Sequence, residues 1–226
     1  MARRSLVFII VALAAAACAG PATVAVDPTV APTTTVAPST AVAAGVLTWT
    51  VSDRSKATVR VREQLVRVNL PSDAVLTANG AKGSFVLNPD GTFASGSKLT
   101  FDLTTLSSDS RDRDNFVKQD TLGTRQFPTA TFVPVKATGL ALPLPTSGDL
   151  AFTLTGTMTI RGTDKTVTFD VKATRSGSDL AATATANPAL KFEDFGMTAP
   201  SVPLRVLSVT DEIRLVIDLV ATGPGT

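Results

Sequence analysis

The sequence of 226 residues contains no histidine and no tyrosine, and its single cysteine is Cys18. The lack of histidine excludes a histidine-based catalytic triad and a Cys/His zinc site. One cysteine cannot form a disulfide within the chain. The fold must therefore be stabilised by packing, and no metal site is expected.

The chain also carries nearly equal numbers of basic and acidic residues. The formal net charge is +2, but Arg3 and Arg4 lie in a segment that we expect to be removed, which leaves 19 basic residues against the 19 acidic ones. A balanced chain has no electrostatic basis for binding nucleic acid. With 44% apolar and 18% charged residues, the composition is that of a globular protein.

Residues 1–17 have the three parts of a bacterial export signal. Arg3 and Arg4 precede an apolar run at 6–13, and small residues follow at 14–17. The apolar run is shorter than the roughly 20 residues that span a bilayer. Cys18 directly after small residues resembles a lipobox, although Ala15 stands where leucine is usual. We predict a lipoprotein held at the outer face of the cell membrane by lipidated Cys18, with plain secretion as the alternative.

Residues 18–44 form the second part of the chain. They are rich in proline, threonine, alanine and valine, and their only charged residue is Asp27. Such a composition predicts a disordered stalk after the lipidated cysteine. The folded domain is then expected at 45–222, with a short tail at 223–226.

After Gly45 apolar and polar residues alternate with a period of two, which is typical of antiparallel strands with one buried face. Strands are predicted at 47–51, 57–63, 82–87, 98–103, 130–136, 150–160, 166–174, 180–186 and 212–220. Long amphipathic strands favour a closed barrel, since closure removes exposed strand edges. We therefore predict a mainly β fold, a single antiparallel barrel of about eight strands.

The segment 107–132 interrupts this alternation with dense charge and predicts one short helix at about 110–122. Asp109 is the expected N-cap, with Asp112 as the acid of a capping box, and Gly123 suits the position after the helix end. Ion pairs are expected between Asp114 and Arg111 and between Asp114 and Lys118.

Several segments in order resemble the YceI-like family of lipid-binding β-barrels. They are RDRDNF at 111–116 with FPTATF at 127–132, GTMTIRGTDKTV at 156–167, FEDFGM at 192–197 and VTDEI at 209–213. The resemblance covers about 45–222. It implies an elongated, lipocalin-like barrel whose apolar lumen holds a polyisoprenoid chain, such as a quinone tail. Some members carry histidines in the early strands, and no role of those histidines transfers to this chain.

The resemblance turns the inward-facing residues into candidates for the lumen wall, and ordinary core packing is the alternative for each. The candidates are Phe101, Leu103, Phe116, Phe132, Phe152, Leu154, Gly156, Met158, Ile160, Phe169, Ala182, Ala184, Phe192, Phe195, Ile213, Leu215 and Ile217. Gly156, Ala182 and Ala184 are expected to leave room for the ligand. Arg111 and Arg113 are candidates for a site at the mouth that binds a polar head group, or else they belong to the ion pairs of the helix cap.

The predicted function is binding, sequestration or transport of an apolar lipid, with no cofactor other than that lipid. Two alternatives are a dry interaction or stress-response domain displayed on its stalk, and a hydrolase that uses carboxylates. For the hydrolase, Glu193 and Asp194 have no evident partner nucleophile or base, so a turn between Phe192 and Phe195 is the better interpretation. The expected partners are the lipid and the membrane, and the sequence is compatible with a homodimer.

Overall fold

The computed structural model describes residues 45–202 and 204–224. The predicted export signal, the lipidated Cys18 and the stalk lie outside these residues. Among the helices described, none has the length and apolar character needed to cross a membrane.

Ten strands and a few short helical segments make up the described part of the chain. The strands are β1 (Leu47–Val51), β2 (Lys56–Leu65), β3 (Ser72–Asn79), β4 (Lys82–Leu87), β5 (Lys98–Asp102), β6 (Thr129–Thr138), β7 (Ser147–Ile160), β8 (Thr163–Ser176), β9 (Asp179–Ala186) and β10 (Val206–Thr222). The helix α1 (Arg111–Phe116) continues into a π-helical turn, Val117–Thr121, and 3-10 turns lie at Leu103–Thr105 and Glu193–Phe195.

The strands form one antiparallel sheet that closes on itself. From β4 to β10 the sheet follows the order β4-β5-β6-β7-β8-β9-β10, and β1 pairs with both β4 and β10. β2 continues the line of β1 along β10, and β3 pairs with β2 as β4 pairs with β1. When β1 and β2 are counted as one strand, and β3 and β4 as another, eight strands ring the interior. The predicted mainly β barrel with one short helix is thus confirmed.

β3 is a strand that the sequence prediction missed. Its inward side chains are Ala74, Leu76 and Ala78, all buried, and its ends carry serine, aspartate and asparagine. Alanine, aspartate and asparagine are depleted in strands, so the local preference is weak. Pairing with β2 along the whole strand, from Ser72 to Asn79, decides its conformation.

The N-cap of α1 lies one residue later than predicted. Ser110 is the N-cap, and its side chain accepts a hydrogen bond from the backbone N–H of Arg113. The prediction of Asp109 as the cap was wrong, because the Asp109 carboxylate instead pairs with the Arg113 side chain. No capping box forms, since Asp112 pairs with Arg205.

The predicted pairs of Asp114 with Arg111 and Lys118 do not form within the described residues. Asp114 accepts a hydrogen bond from the Ser108 hydroxyl at 2.6 Å. Gly123 does lie just past the helical segment, with the left-handed φ of 62° that such a position favours.

Candidate functional site

Among the described residues, a large and a small cavity lie inside the barrel. The large cavity, about 950 Å³, is bounded by β2, β3, α1 and the chain leading into β10. The small cavity, about 90 Å³, lies among the aromatic side chains toward the other end of the strands. The large cavity is at the upper end of the 300–1,000 Å³ range of small-molecule sites.

The predicted lumen residues divide between these cavities. Those on the wall of the small cavity are Phe132, Phe152, Leu154, Phe169, Ala182 and Ile217. Those on the wall of the large cavity are Leu103, Phe116, Ile160, Phe192 and Ile213, together with the predicted mouth residue Arg113.

Three further candidates separate the cavities, and we call Phe101, Met158 and Leu215 the dividing layer. On β5, Leu99 lines the small cavity and Phe101 follows two residues later, and Leu103, just past the end of the strand, lines the large cavity. Met158 holds the same position between Leu154 and Ile160 on β7, and Leu215 between Ile217 and Ile213 on β10. All three are buried, so the interior is packed across its middle.

The sequence interpretation expected Gly156 to leave room for a ligand, but the structure has no free space at this position. A Cβ added at this position would lie 2.5 Å from Cζ of Phe132 and 2.5 Å from the carbonyl oxygen of Val133. The missing side chain therefore lets the Phe132 ring pack directly over the β7 backbone. Phe132 in turn meets Phe169 edge to face, with ring centroids 5.2 Å apart.

The remaining candidates lie away from both cavity walls. Ala184 is buried on β9 beyond Ala182, and Phe195 is buried within the 3-10 turn at Glu193–Phe195. Arg111 is exposed and does not line the large cavity. Ala184 and Phe195 therefore belong to the packed core, which was the alternative for both, whereas Arg111 lies at the surface without its predicted ion pair to Asp114 among the described residues.

Sequence reasoning missed much of the large cavity's apolar wall. Val59 and Val61 on β2 and Ala74 and Leu76 on β3 all line it. The period-two pattern at 57–63 carried the signal for the two valines. No comparable signal marked β3, because its alternation depends on alanine.

A buried ion pair stands at the boundary between the apolar wall and α1. Nη2 of Arg113 lies 2.7 Å from Oε1 of Glu63, and the Glu63 side chain is only 7% exposed. Nη1 of Arg113 donates to the Asp109 carboxylate and to the Ser108 hydroxyl. Arg113 thus belongs to the ion pairs of the helix cap, and it also lines the large cavity.

A buried arginine closes the barrel beside the small cavity. Arg175 is 2% exposed, and its guanidinium carbon lies 5.1 Å from the ring centroid of Trp49. It donates to the carbonyl oxygens of Gly177 at 2.9 Å, Pro145 at 3.0 Å and Pro224 at 3.3 Å. The loop before β7 and the chain after β10 are therefore tied to one side chain.

The carboxylates Glu193 and Asp194 serve a turn. Asp194 accepts a hydrogen bond from the backbone N–H of Lys191 at 2.9 Å and pairs with the ammonium of Lys165. The hydrogen bond from Lys165 is the main reason that the pKa of Asp194 lies below its ordinary value. Among the described residues, no three side chains of the types that bind metals come together.

Comparison with known proteins identifies the domain. A family model described as the YceI-like domain matches residues 49–221, which is more than three quarters of the chain. A search of curated protein sequences finds no match.

Solved structures with the same fold come from several bacteria. A polyisoprenoid binding domain from Saccharophagus degradans, implicated in plant cell wall breakdown, aligns with a TM-score of 0.58 at 14% identity, over 78% of this chain and 98% of that one. BcnA from Burkholderia cenocepacia aligns with a TM-score of 0.53 at 20% identity, over 74% and 96%. The YCEI protein of Campylobacter jejuni aligns with a TM-score of 0.51 at 21% identity, over 70% and 89%.

Proposed function

Because this chain belongs to the YceI-like domain family, we propose that it binds an apolar chain of the polyisoprenoid or quinone type inside its barrel, without covalent chemistry. The observation that carries the proposal is the large cavity of about 950 Å³ with its apolar wall on β2, β3 and β10. The similar domain from Saccharophagus degradans is named for polyisoprenoid binding, which supports the same ligand class.

Affinity for such a ligand comes from removing hydrocarbon from water. Each CH₂ group transferred into an apolar site contributes about 0.8 kcal/mol. The deep wall of the large cavity, formed by Val59, Val61, Leu76 and Ile213, contacts the chain. A polar head group lies toward α1, where Arg113 and Glu63 supply charged atoms. The apolar side chains of the deep wall select for length and bulk, and they offer no polar atoms to specify finer chemistry in that part of the cavity.

The dividing layer limits how far a chain enters. With Phe101, Met158 and Leu215 packed across the middle, the large cavity accepts the ligand and the small cavity stays outside its reach. A chain that extended into the small cavity would require these three side chains to move.

The test is organic extraction of the purified protein followed by mass spectrometry, paired with binding of a polyprenyl quinone from detergent micelles. Leu76→Trp places bulk into the large cavity, and we expect it to lower bound quinone several-fold. Val75→Trp is the matched control, because Val75 is the neighbour on β3 that faces outward and lines neither cavity. Thermal unfolding of both variants establishes that they fold.

If the protein yields no lipid on extraction and binds no quinone, the dry interaction or stress-response domain replaces the binding function. Equal quinone binding by Leu76→Trp and the parent protein would place the ligand outside the large cavity.

We also propose that the domain works outside the cytoplasm, attached to the cell membrane through lipidated Cys18. The export signal at 1–17 and the small residues before Cys18 support this location. Stable attachment requires more than one acyl chain, so Cys18→Ser should release the protein into the medium. A membrane fraction unchanged by Cys18→Ser would overturn the anchor.

A further inference from the structure

Exposed apolar side chains gather at one end of the barrel, beside the large cavity. Val68 and Leu70, in the loop after β2, are 44% and 76% exposed, and Leu204 and Leu207, at the start of β10, are 92% and 66% exposed. We call these four residues the apolar rim. The other large apolar residues exposed among those described are valines on outer strand faces, Val75, Val133 and Val135.

The two segments of the apolar rim are joined to each other. The backbone N–H of Val66 donates to the carbonyl oxygen of Arg205 at 2.9 Å, and Val206 pairs with Leu65 in the sheet. The two segments that carry the rim therefore lie side by side.

The same surface runs into the large cavity. Val66 and Val68 from one segment, and Val202, Leu204 and Val206 from the other, line its wall. Because Leu204 is both almost fully exposed and part of that wall, the cavity reaches the surface at the rim. An apolar path leads from solvent into the barrel at this end.

Cationic side chains alternate with the apolar ones. Arg67 stands between Val66 and Val68, and Arg205 between Leu204 and Val206, and both arginines are exposed. Arg205 also pairs with the exposed Asp112. A surface that binds a bilayer combines apolar side chains, which enter the acyl boundary, with cationic side chains, which bind phosphate groups. Arg67 supplies such a cation beside the apolar rim. A water-soluble partner would not account for exposed leucines at the opening of a cavity large enough for a lipid.

We propose that the apolar rim docks onto the surface of a lipid bilayer that contains anionic lipids, so that the ligand passes between the membrane and the large cavity without crossing water. The inference rests on the proposed function, because it takes the ligand to be a membrane lipid. The membrane is the reservoir of such chains, and the rim is the place where the cavity opens.

The predicted anchor leaves this docking geometry accessible. The segment 19–44 has 26 residues, and a chain of that length in the extended polyproline form reaches about 80 Å. β10 has 17 residues and is about 55 Å long, so an anchor at Cys18 does not prevent the rim from reaching the same membrane.

The test uses the full chain carrying Cys18→Ser, so that no acyl group contributes to binding, and vesicles of phosphatidylcholine with about a third phosphatidylglycerol. We expect the protein to float with these vesicles. In the double variant Leu70→Ser, Leu207→Ser, the fraction of protein that floats should be at least about five-fold smaller. The matched control is Val133→Ser, Val135→Ser, which removes two exposed valines from the outer face of β6 and should float like the parent.

Quinone binding from detergent micelles separates this inference from the proposed function. Leu70 and Leu207 do not line the large cavity, so the rim variant should bind quinone from micelles as the parent does, while it takes up quinone from vesicles more slowly. A parent protein that binds quinone but does not float, or a rim variant that floats normally, would overturn the docking surface alone. Failure of the parent to bind quinone from micelles would overturn the proposed function instead. Dimerisation that is lost in the rim variant, without vesicle binding, would assign the rim to a second copy of the chain.

Discussion

The ring of Phe132 lies directly over Gly156, on the neighbouring strand, where any added side chain would collide with it. A Cβ at position 156 would be 2.5 Å from Cζ of Phe132 and 2.5 Å from the carbonyl oxygen of Val133. We expect Gly156→Ala to destabilise the domain by about 1–3 kcal/mol, because the interior must shift to accept it. Urea unfolding measures this change.

A double-mutant cycle identifies the cause. Phe132→Leu removes the ring, so the cost of Gly156→Ala should be smaller in the Phe132→Leu background, although the contact with the Val133 carbonyl remains. Thr157→Ala, at the next position on β7, is the control and should cost far less. Equal costs in both backgrounds would show that the ring is not what excludes a side chain at 156.

Because Arg113 pairs with the buried Glu63, its replacement should lower the stability of the domain far more than replacement of Arg111 on the same helix. Arg113→Met leaves the Glu63 carboxylate buried without its partner and should destabilise the domain by about 3 kcal/mol. Arg111→Met alters an exposed side chain on the same helix and should change stability by about 0.5 kcal/mol or less. Chemical unfolding of both variants compares them, and adding Glu63→Gln to Arg113→Met should recover part of the loss. Similar losses for Arg111→Met and Arg113→Met would contradict the pair's importance.

Arg175 and Trp49 provide a spectroscopic test, since Trp49 is the only tryptophan in the chain. Arg175→Lys replaces a planar fork of donors with one compact ammonium, which cannot serve the carbonyls of Pro145, Gly177 and Pro224 together. We expect a loss of about 2 kcal/mol and a red shift of Trp49 fluorescence as water reaches the ring. Arg54→Lys, at an exposed arginine, is the control. Unchanged emission in Arg175→Lys would mean that the guanidinium does not close this end of the barrel.

Asp194 predicts a pH dependence of stability with a definite sign. Its pKa in the folded protein lies below the ordinary value, mainly through the hydrogen bond from Lys165, so the folded state favours the charged carboxylate. The resulting stabilisation is complete above about pH 5 and is lost as the pH falls below about 4 through the folded pKa. Asp194→Asn should therefore cost about 1 kcal/mol at pH 7 and clearly less at pH 3. Urea titrations at both pH values measure the difference in unfolding free energy between the parent and Asp194→Asn. A difference that grows as the pH falls would contradict the lowered pKa of Asp194.

Local patterns in the sequence determined most of the strands. The predicted strands at 47–51 and 82–87 have the bounds of β1 and β4, and the others differ from the observed ones mainly at their ends. Period-two alternation is a property of a few neighbouring residues, so it is readable without knowledge of the rest of the fold. The helix and the left-handed glycine after it were accessible for the same reason.

Choices between neighbouring residues required the tertiary structure. Ser110 rather than Asp109 caps α1, because Asp109 finds a partner in the Arg113 side chain. β3 exists because β2 offers a complete pairing partner, and its alanine-rich sequence gives little preference of its own.

The interior shows the same division most clearly. The sequence by itself determined which side chains face inward, because alternation assigns each strand residue to one face. Only the tertiary structure decided that Leu103 and Ile213 line the large cavity, that Phe101, Met158 and Leu215 fill the middle, and that Gly156 accommodates a ring rather than a ligand. The physical reason is that free volume depends on the side chains that meet across the barrel, and those come from strands far apart in the sequence.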